Sequence, residues 1–254
     1  MPWWDSITEP FWIAGSALHY SGGEGRPTAP VSETDPSTGV SHVATTARRL
    51  GSAGERILQQ RYGSRTRAEA FYREQVTAQL NDAMRDFVGR MEMVFVSTAD
   101  ADGNCDCSFR SGPRGFVRAL DEHTLAYPEY RGNGVMASQG NIVENGHVGL
   151  LFVDFFETTV GLHVNGRAHI AEGEEFAARV VPGMEVPDTA AGRPTPERWV
   201  VVEVEEAYIH CSKHVPLLAK QEKAIAWGTD DVRLKGGDYF RVSAAHRVNS
   251  TPPT

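Results

Sequence analysis

At Met91 the spacing of apolar residues changes from a helical to a strand period, and this change limits the fold more than any other feature of the chain. Before it, Tyr72, Val76, Leu80, Ala83, Met84 and Phe87 recur at helical spacing with charges between them. This predicts one long amphipathic helix over Arg65–Arg90, preceded by a shorter one over Gly54–Arg61. After it come the short segments "MVFVSTAD", "CDCSFR", "GFVRAL" and "HTLAYP", broken by the turn chemistry of "ADGN", "SGPR" and "DE", a spacing that predicts an antiparallel meander. "VGLLFVDFF" reads as a continuously buried strand. In "GLHVNGRAHI", Leu162, Val164, Gly166, Ala168 and Ile170 fall on one face and His163, Asn165, Arg167 and His169 on the other. A helix near Glu174–Val181, a Pro/Gly loop over Pro182–Pro196 and a long strand, "RWVVVEVEEAYIHC", follow. "SKHVPLLAKQEKAIAW" then reads as helix or turn.

The predicted class is mainly β (α+β), a small barrel with flanking helices. Residues 1–54 form a loop-rich extension in which Trp3, Trp4, Phe11 and Trp12 offer aromatic anchors for packing onto the core. Residues 55–90 are helical and pack on the barrel, residues 91–242 are the barrel, and residues 243–254 are a frayed tail.

Lys and Arg number 25 against 33 Asp and Glu, and the basic residues form no block, so a sequence-independent grip on nucleic acid is not expected. The longest apolar runs, Val148–Val153 and Val200–Val202, are too short to cross a bilayer, and the N-terminus lacks the regions of a secretory signal. The expectation is a cytoplasmic protein with neither membrane nor nucleic acid as partner. Cys105 and Cys107 share one face of a strand and Cys211 stands alone, which argues against a disulfide framework. Without a C-x-x-C pair the thiols offer no metal-ligand spacing, so no metal is expected.

Two stretches carry candidate chemistry. In "YPEYRGNGVMASQGNIVENG", Arg131, two glycines around Asn133 and a short helix over Val135–Glu144 bring backbone N–H groups, a positive helix end and a guanidinium together, an arrangement suited to phosphate. Ser138 and Asn141 share a face of that helix, and Asn145-Gly146 supplies its C-cap. The pattern is neither a P-loop nor G-x-G-x-x-G, and Gly-Asn-Gly equally suits a plain turn. In "SFRSGPRGFVRAL", Ser108, Arg110, Arg114 and Arg118 place a hydroxyl and three cations beside glycines; a solvated strand edge with alternating charge is the competing reading.

The run "GFVRALDEHTLAYPEYRGNGVMASQGNIVENGHVGLLFVDF", then "GLHVNGRAHI" and "YIHCSKH", resembles the pyridoxamine 5′-phosphate oxidase-like FMN-binding proteins, in a bacterial branch of FMN-dependent enzymes. The resemblance covers about Met91 to Trp227. It implies an FMN-binding split β-barrel working as a homodimer, with the flavin at the subunit interface. By resemblance, Arg110 and the backbone of Phe116 and Val117 line the isoalloxazine and ribityl chain, Tyr127 follows on the next strand, and Arg131, Asn133, Ser138 and Asn141 bind the 5′-phosphate, with Ser108 beside them. Vitamin-B6 oxidases carry a Trp-containing strand and an Arg-Leu-x-Pro segment that grips the substrate. This chain closes "GGDYFRVSAAHRVNSTPPT" without it, so a different small-molecule substrate is implied.

The dense reactive cluster is "HCSKHVP", where His210, Lys213 and His214 are the candidate catalytic residues. Lys213 is suited to stabilise a reduced, anionic flavin or a substrate carboxylate, and a capped strand end is the competing reading. Cys211 between them reads as a small buried hydrophobe. His163 and His169 lie too far apart along their strand to cooperate and mark a polar outer or dimer-facing surface. The functional expectation is an FMN-dependent oxidoreductase using a nicotinamide or small organic substrate. The alternatives are a flavin-binding or redox-sensing protein without a committed substrate, and a split barrel that binds deazaflavin F420 or haem.

Overall fold

Ser52 opens the first helix, α1 (Ala53–Arg61), by accepting from the Glu55 N–H while the Glu55 carboxylate accepts from the Ser52 N–H. The computed structural model describes residues 50–180, 196–226, 228–229, 231, 233–234 and 237–243. The aromatic extension, most of the Pro182–Pro196 loop and the tail from residue 244 lie outside the described residues.

The single helix expected over Arg65–Arg90 is two helices, α2 (Arg65–Gln75) and α3 (Asp82–Arg90), parted by the short strand β1 (Val76–Thr77). Two local causes break it. The β-branched pair Val76-Thr77 takes an extended backbone and pairs with Tyr208 and Ala207. Asn81 then caps α3, its side chain accepting from the Met84 N–H at 2.9 Å. Leu80, between them, is fully buried in the core.

The remaining elements are β2 (Met93–Ala99), β3 (Cys105–Ser111), β4 (Arg118–Ala119), β5 (Thr124–Glu129), α4 (Ala137–Glu144), β6 (His147–Val153), β7 (Gly161–Ala171), α5 (Glu174–Val180) and β8 (Arg198–His210). A single 3-10 turn, Ser212–His214, follows, and residues 215–226 form no further helix. All pairings are antiparallel, and the order across the sheet is β3-β2-β6-β7-β8-β5-β4, with β1 on β8. The expected meander is thereby corrected: the β2/β3 and β4/β5 hairpins lie at opposite ends of the sheet, because β5 pairs with β8 rather than with its chain neighbours.

Val94 and Val96 of β2, Leu125 and Tyr127 of β5, Leu150 and Phe152 of β6, Leu162 and Val164 of β7, and Val200 and Val202 of β8 meet in one core cluster. Strands from both ends of the path can share a core only if the sheet coils on itself. β3 and β4 do not pair across the seam, so the barrel is split. The strand "VGLLFVDFF", expected to be buried throughout, instead alternates: Leu150 and Phe152 face the core while Gly149 and Leu151 are half-buried on the outer face. After β6, Asp154 accepts from the backbone N–H groups of Phe156, Glu157 and Thr158 and from the Thr158 hydroxyl, fixing the turn into β7. Burial alone would raise that carboxyl, but these bonds outweigh it and hold its pKa at about 2. No helix among the described residues is long and apolar enough to cross a membrane.

Candidate functional site

The period of two along β3 puts Asp106, Ser108 and Arg110 on one face, and they border a cavity of about 960 Å³ closed by the end of β5, the loop over residues 130–136, the first turn of α4 and the start of β8. That volume lies within the range of about 300–1,000 Å³ usual for small-molecule sites. Cys105 and Cys107 face the other way and are exposed.

Arg110 organises one wall. Its Nε donates to Glu129 Oε1 at 2.9 Å, its Nη2 to Ser138 Oγ at 2.8 Å and its Nη1 to the Phe109 carbonyl at 3.2 Å. Glu129 and Ser138 are buried at 4% and 2% exposure, so this pair lies mostly out of water. The sheet register sets Arg198 of β8 directly opposite Glu129 of β5, and Arg198 Nη1 donates to Gln139 Oε1 at 3.1 Å. Burial pushes the Glu129 carboxyl above its ordinary range, more than the neighbouring Arg110 and Arg198 charges and the Gln139 hydrogen bond pull it down. Across the cavity Arg131 Nε donates to Glu197 Oε1 at 3.2 Å. The lining thus sets three guanidinium groups, Arg110, Arg131 and Arg198, against three carboxylates, Asp106, Glu129 and Glu197.

Of the residues singled out in the sequence, Ser108, Arg110, Arg131, Asn133 and Ser138 come together here. Asn133 Oδ1 accepts from the Val135 N–H at 2.9 Å and so shapes the loop, while the Ser108 hydroxyl donates to Asp106 at 2.7 Å. The helix starts at Ala137 rather than Val135, because Met136 takes a left-handed conformation, φ 56°, just before it. The expected end holds, with Asn145 as C-cap and Gly146 at φ 73°.

The other candidates lie elsewhere. Asn141 turns from the cavity and donates to Thr98 Oγ1 at 3.0 Å. Phe116, Val117 and Tyr127 are in the core, and the Tyr127 hydroxyl, its pKa raised by burial, has no hydrogen-bond partner among the described residues. Arg114 pairs with Glu92 and Glu157, and with Arg118 it borders a different recess.

His210, Lys213 and His214 do not border the cavity. Lys213 and His214 lie in the turn after β8, and Cys211 is exposed, which corrects the expected burial: it stands just past the last strand residue, where no core packs over it. His210 instead meets His163, with Nδ1 and Nε2 3.0 Å apart, and the His163 ring stacks on Tyr208 with centroids 4.6 Å apart. Gly161 opposite His210 permits this, since a Cβ there would come within 2.8 Å of the His210 Cβ. Burial, and then the nearby His210, lower the His163 pKa. Its stabilising contribution is full above about pH 6.5 and is lost as the pH falls through the depressed folded value. Urea unfolding from pH 7.5 to 5 should therefore show a stability loss that His163→Gln reduces.

Glu129, Gln139 and Arg198, and with them the lining carboxylates Asp106 and Glu197, were not singled out from the sequence. The signal for Glu129 was present, because Leu125, Tyr127 and Glu129 share a strand face, and a carboxylate in line with two core residues calls for a buried cationic partner.

The sequence model described as pyridoxamine 5′-phosphate oxidase matches residues 80–211. No curated protein matches the chain. Among solved structures, HupZ of Group A Streptococcus is 26% identical over 51% of this chain and 93% of its own, with a TM-score of 0.37. An FMN-binding protein of Syntrophomonas wolfei is 14% identical over 59% of this chain and 96% of its own, with a TM-score of 0.39. An FAD-binding protein of Mycobacterium smegmatis is 15% identical over 52% of this chain and 97% of its own, with a TM-score of 0.35.

Proposed function

The chain belongs to the pyridoxamine 5′-phosphate oxidase family, and from that premise we propose that it binds FMN in the cavity beside α4 and uses it as an oxidoreductase on a small organic substrate or a nicotinamide. The observation that carries this reading is the convergence of Arg110, Arg131, Arg198 and Ser138 on one cavity at the start of a helix. N–H groups in a first helical turn lack intrahelical partners, and guanidinium groups match phosphate oxygens in pairs, so the wall suits a phosphate monoester. Phe109, Val135 and Met136 are exposed at the same cavity and offer apolar area to a flat ring system. Bound there, the flavin would supply the hydride and electron transfer; the chain supplies its position, its electrostatics and shelter from water.

The same exposed apolar residues support a homodimer in which a second copy completes the wall around the ring. In that assembly His210, Lys213 and His214, which lie away from their own chain's cavity, would act at the site of the partner subunit. Their distance from the cavity within one chain also favours a second reading, a flavin-binding protein without a committed substrate. Flavin reduction by a nicotinamide separates the two.

The test is the visible spectrum of the purified protein, with mass identification of the molecule released by heat. Released FMN supports the reading, and a colourless protein that refuses added FMN overturns it. Arg131→Ala should weaken FMN binding about tenfold, since a charge-assisted phosphate contact on an exposed loop contributes about 1.4 kcal/mol. Unchanged affinity in a flavin titration would remove Arg131 from the phosphate site.

A further inference from the structure

We propose that Glu129 is the positioning residue of the anion site, aiming Arg110, and that it takes up a proton from solvent when the flavin phosphate binds. This inference rests on the flavin reading of the cavity.

The hydrogen bonds of Arg110 carry the first half. Glu129 takes its Nε–H, and Ser138 and the Phe109 carbonyl take one N–H each of Nη2 and Nη1. A guanidinium has five N–H groups, so two remain for a ligand, and their direction is set by the bond to Glu129. Four elements enclose that carboxylate: β3 brings Arg110, α4 brings Gln139, β8 brings Arg198, and its own strand brings Tyr127. Glu129 thus holds together a network built from segments up to 88 residues apart in the chain, as the span from Arg110 to Arg198 shows.

The charge balance of the cavity carries the second half. Among the described residues three cations already face three carboxylates, so an arriving phosphate dianion meets no net positive charge from them unless one carboxylate is neutralised. Asp106 is held by the Ser108 hydroxyl and Glu197 faces solvent, with a third of its side chain exposed, so water screens it. Glu129 is 4% exposed and has no such screen. Burial already favours its neutral form, and a second anion sharing Arg110 favours it further. Protonated Glu129 keeps a carbonyl oxygen for the Arg110 Nε–H, so Arg110 stays aimed while its charge is released to the phosphate. Binding and protonation therefore assist one another.

The experiment is calorimetric titration of the full chain with FMN in two buffers of different ionisation enthalpy, from pH 7 to 8.5, with riboflavin as the phosphate-free probe. A phosphate monoester has its second pKa at about 6 and is already a dianion in this range. Wild-type protein should take up close to one proton with FMN and none with riboflavin, and its FMN affinity should fall by up to about tenfold per pH unit. Glu129→Gln should bind FMN without proton uptake and with an affinity that does not fall with pH, so that its advantage over wild type grows by up to about 30-fold between pH 7 and pH 8.5. FMN binding to wild type without proton uptake, or with equal uptake in Glu129→Gln, overturns the inference alone. Failure of FMN to bind the wild-type chain overturns the flavin reading and this inference with it.

Discussion

Arg110→Ala is expected to cost the fold about 3–5 kcal/mol at pH 7 and to lower FMN affinity about 100-fold. Removing one partner of a buried ion pair costs the first amount, and losing charge-assisted hydrogen bonds of about 2.7 kcal/mol gives the second. Glu129 is the buried partner, its side chain 5% exposed, while Arg110 is half-buried at 23%, so the lower end of that range is expected. The stability deficit has a pH signature. The folded pKa of Glu129 already lies above 4.5, so its contribution is full below pH 4.5 and is lost as the pH rises through the folded value. Without Arg110 that value climbs further, and the loss spreads toward neutrality. The deficit of Arg110→Ala relative to wild type should therefore be greatest between pH 7 and 8 and shrink toward pH 5, where only lost packing of the arginine stem is left. Urea midpoints at pH 5 and pH 8 measure it, and equal deficits at both would mean that Glu129 does not depend on Arg110.

That pairing also marks where a sequence stops being readable. The alternation of β7 was legible because it is local: Leu162, Val164 and Ala168 are buried and Arg167 and His169 exposed, as a period of two requires. The grouping of Arg131 with Ser138 was legible for a similar reason, since a cation beside glycines and a helix start suggests an anion site within a short window, whereas Arg110 was expected, by resemblance alone, along the ring and ribityl chain and its bond to Ser138 spans 28 residues. Glu129 was harder. Its place on a buried strand face could be counted, but its partners come from β3, α4 and β8 and appear only when the barrel is assembled. The break between α2 and α3 was hidden by the same non-locality. Leu80 fits a helical stripe as well as it fits the core, and the residues that pull Val76-Thr77 into a strand, Ala207 and Tyr208, lie far along the chain. His163 was read against His169, its neighbour in sequence, whereas its neighbour in space is His210 on the adjoining strand.

Gly166→Ala tests the register that brings these groups together, and it is expected to destabilise the fold by roughly 3 kcal/mol or more. Glu205 is an extra residue in β8 at this point, because Asn165 pairs with Glu206 and Gly166 with Val204. The bulge drives the two backbones together, so a Cβ on Gly166 would stand 2.0 Å from the Glu203 carbonyl oxygen and 3.3 Å from the Glu205 nitrogen. Both are backbone atoms, and no rotamer change can move them aside; β7 and β8 must separate. These are the two longest strands, and β8 also carries Arg198 to its place opposite Glu129, so FMN affinity should fall together with stability. Gly140→Ala, in α4 with nothing within 4 Å of its Cβ, is the internal contrast: it should stabilise by about 0.5–1 kcal/mol through helix propensity. Denaturant midpoints of the two variants should therefore move in opposite directions. A Gly166→Ala protein that unfolds at the wild-type midpoint would mean that β7 and β8 do not approach this closely and that the register carrying Arg198 to the cavity is different.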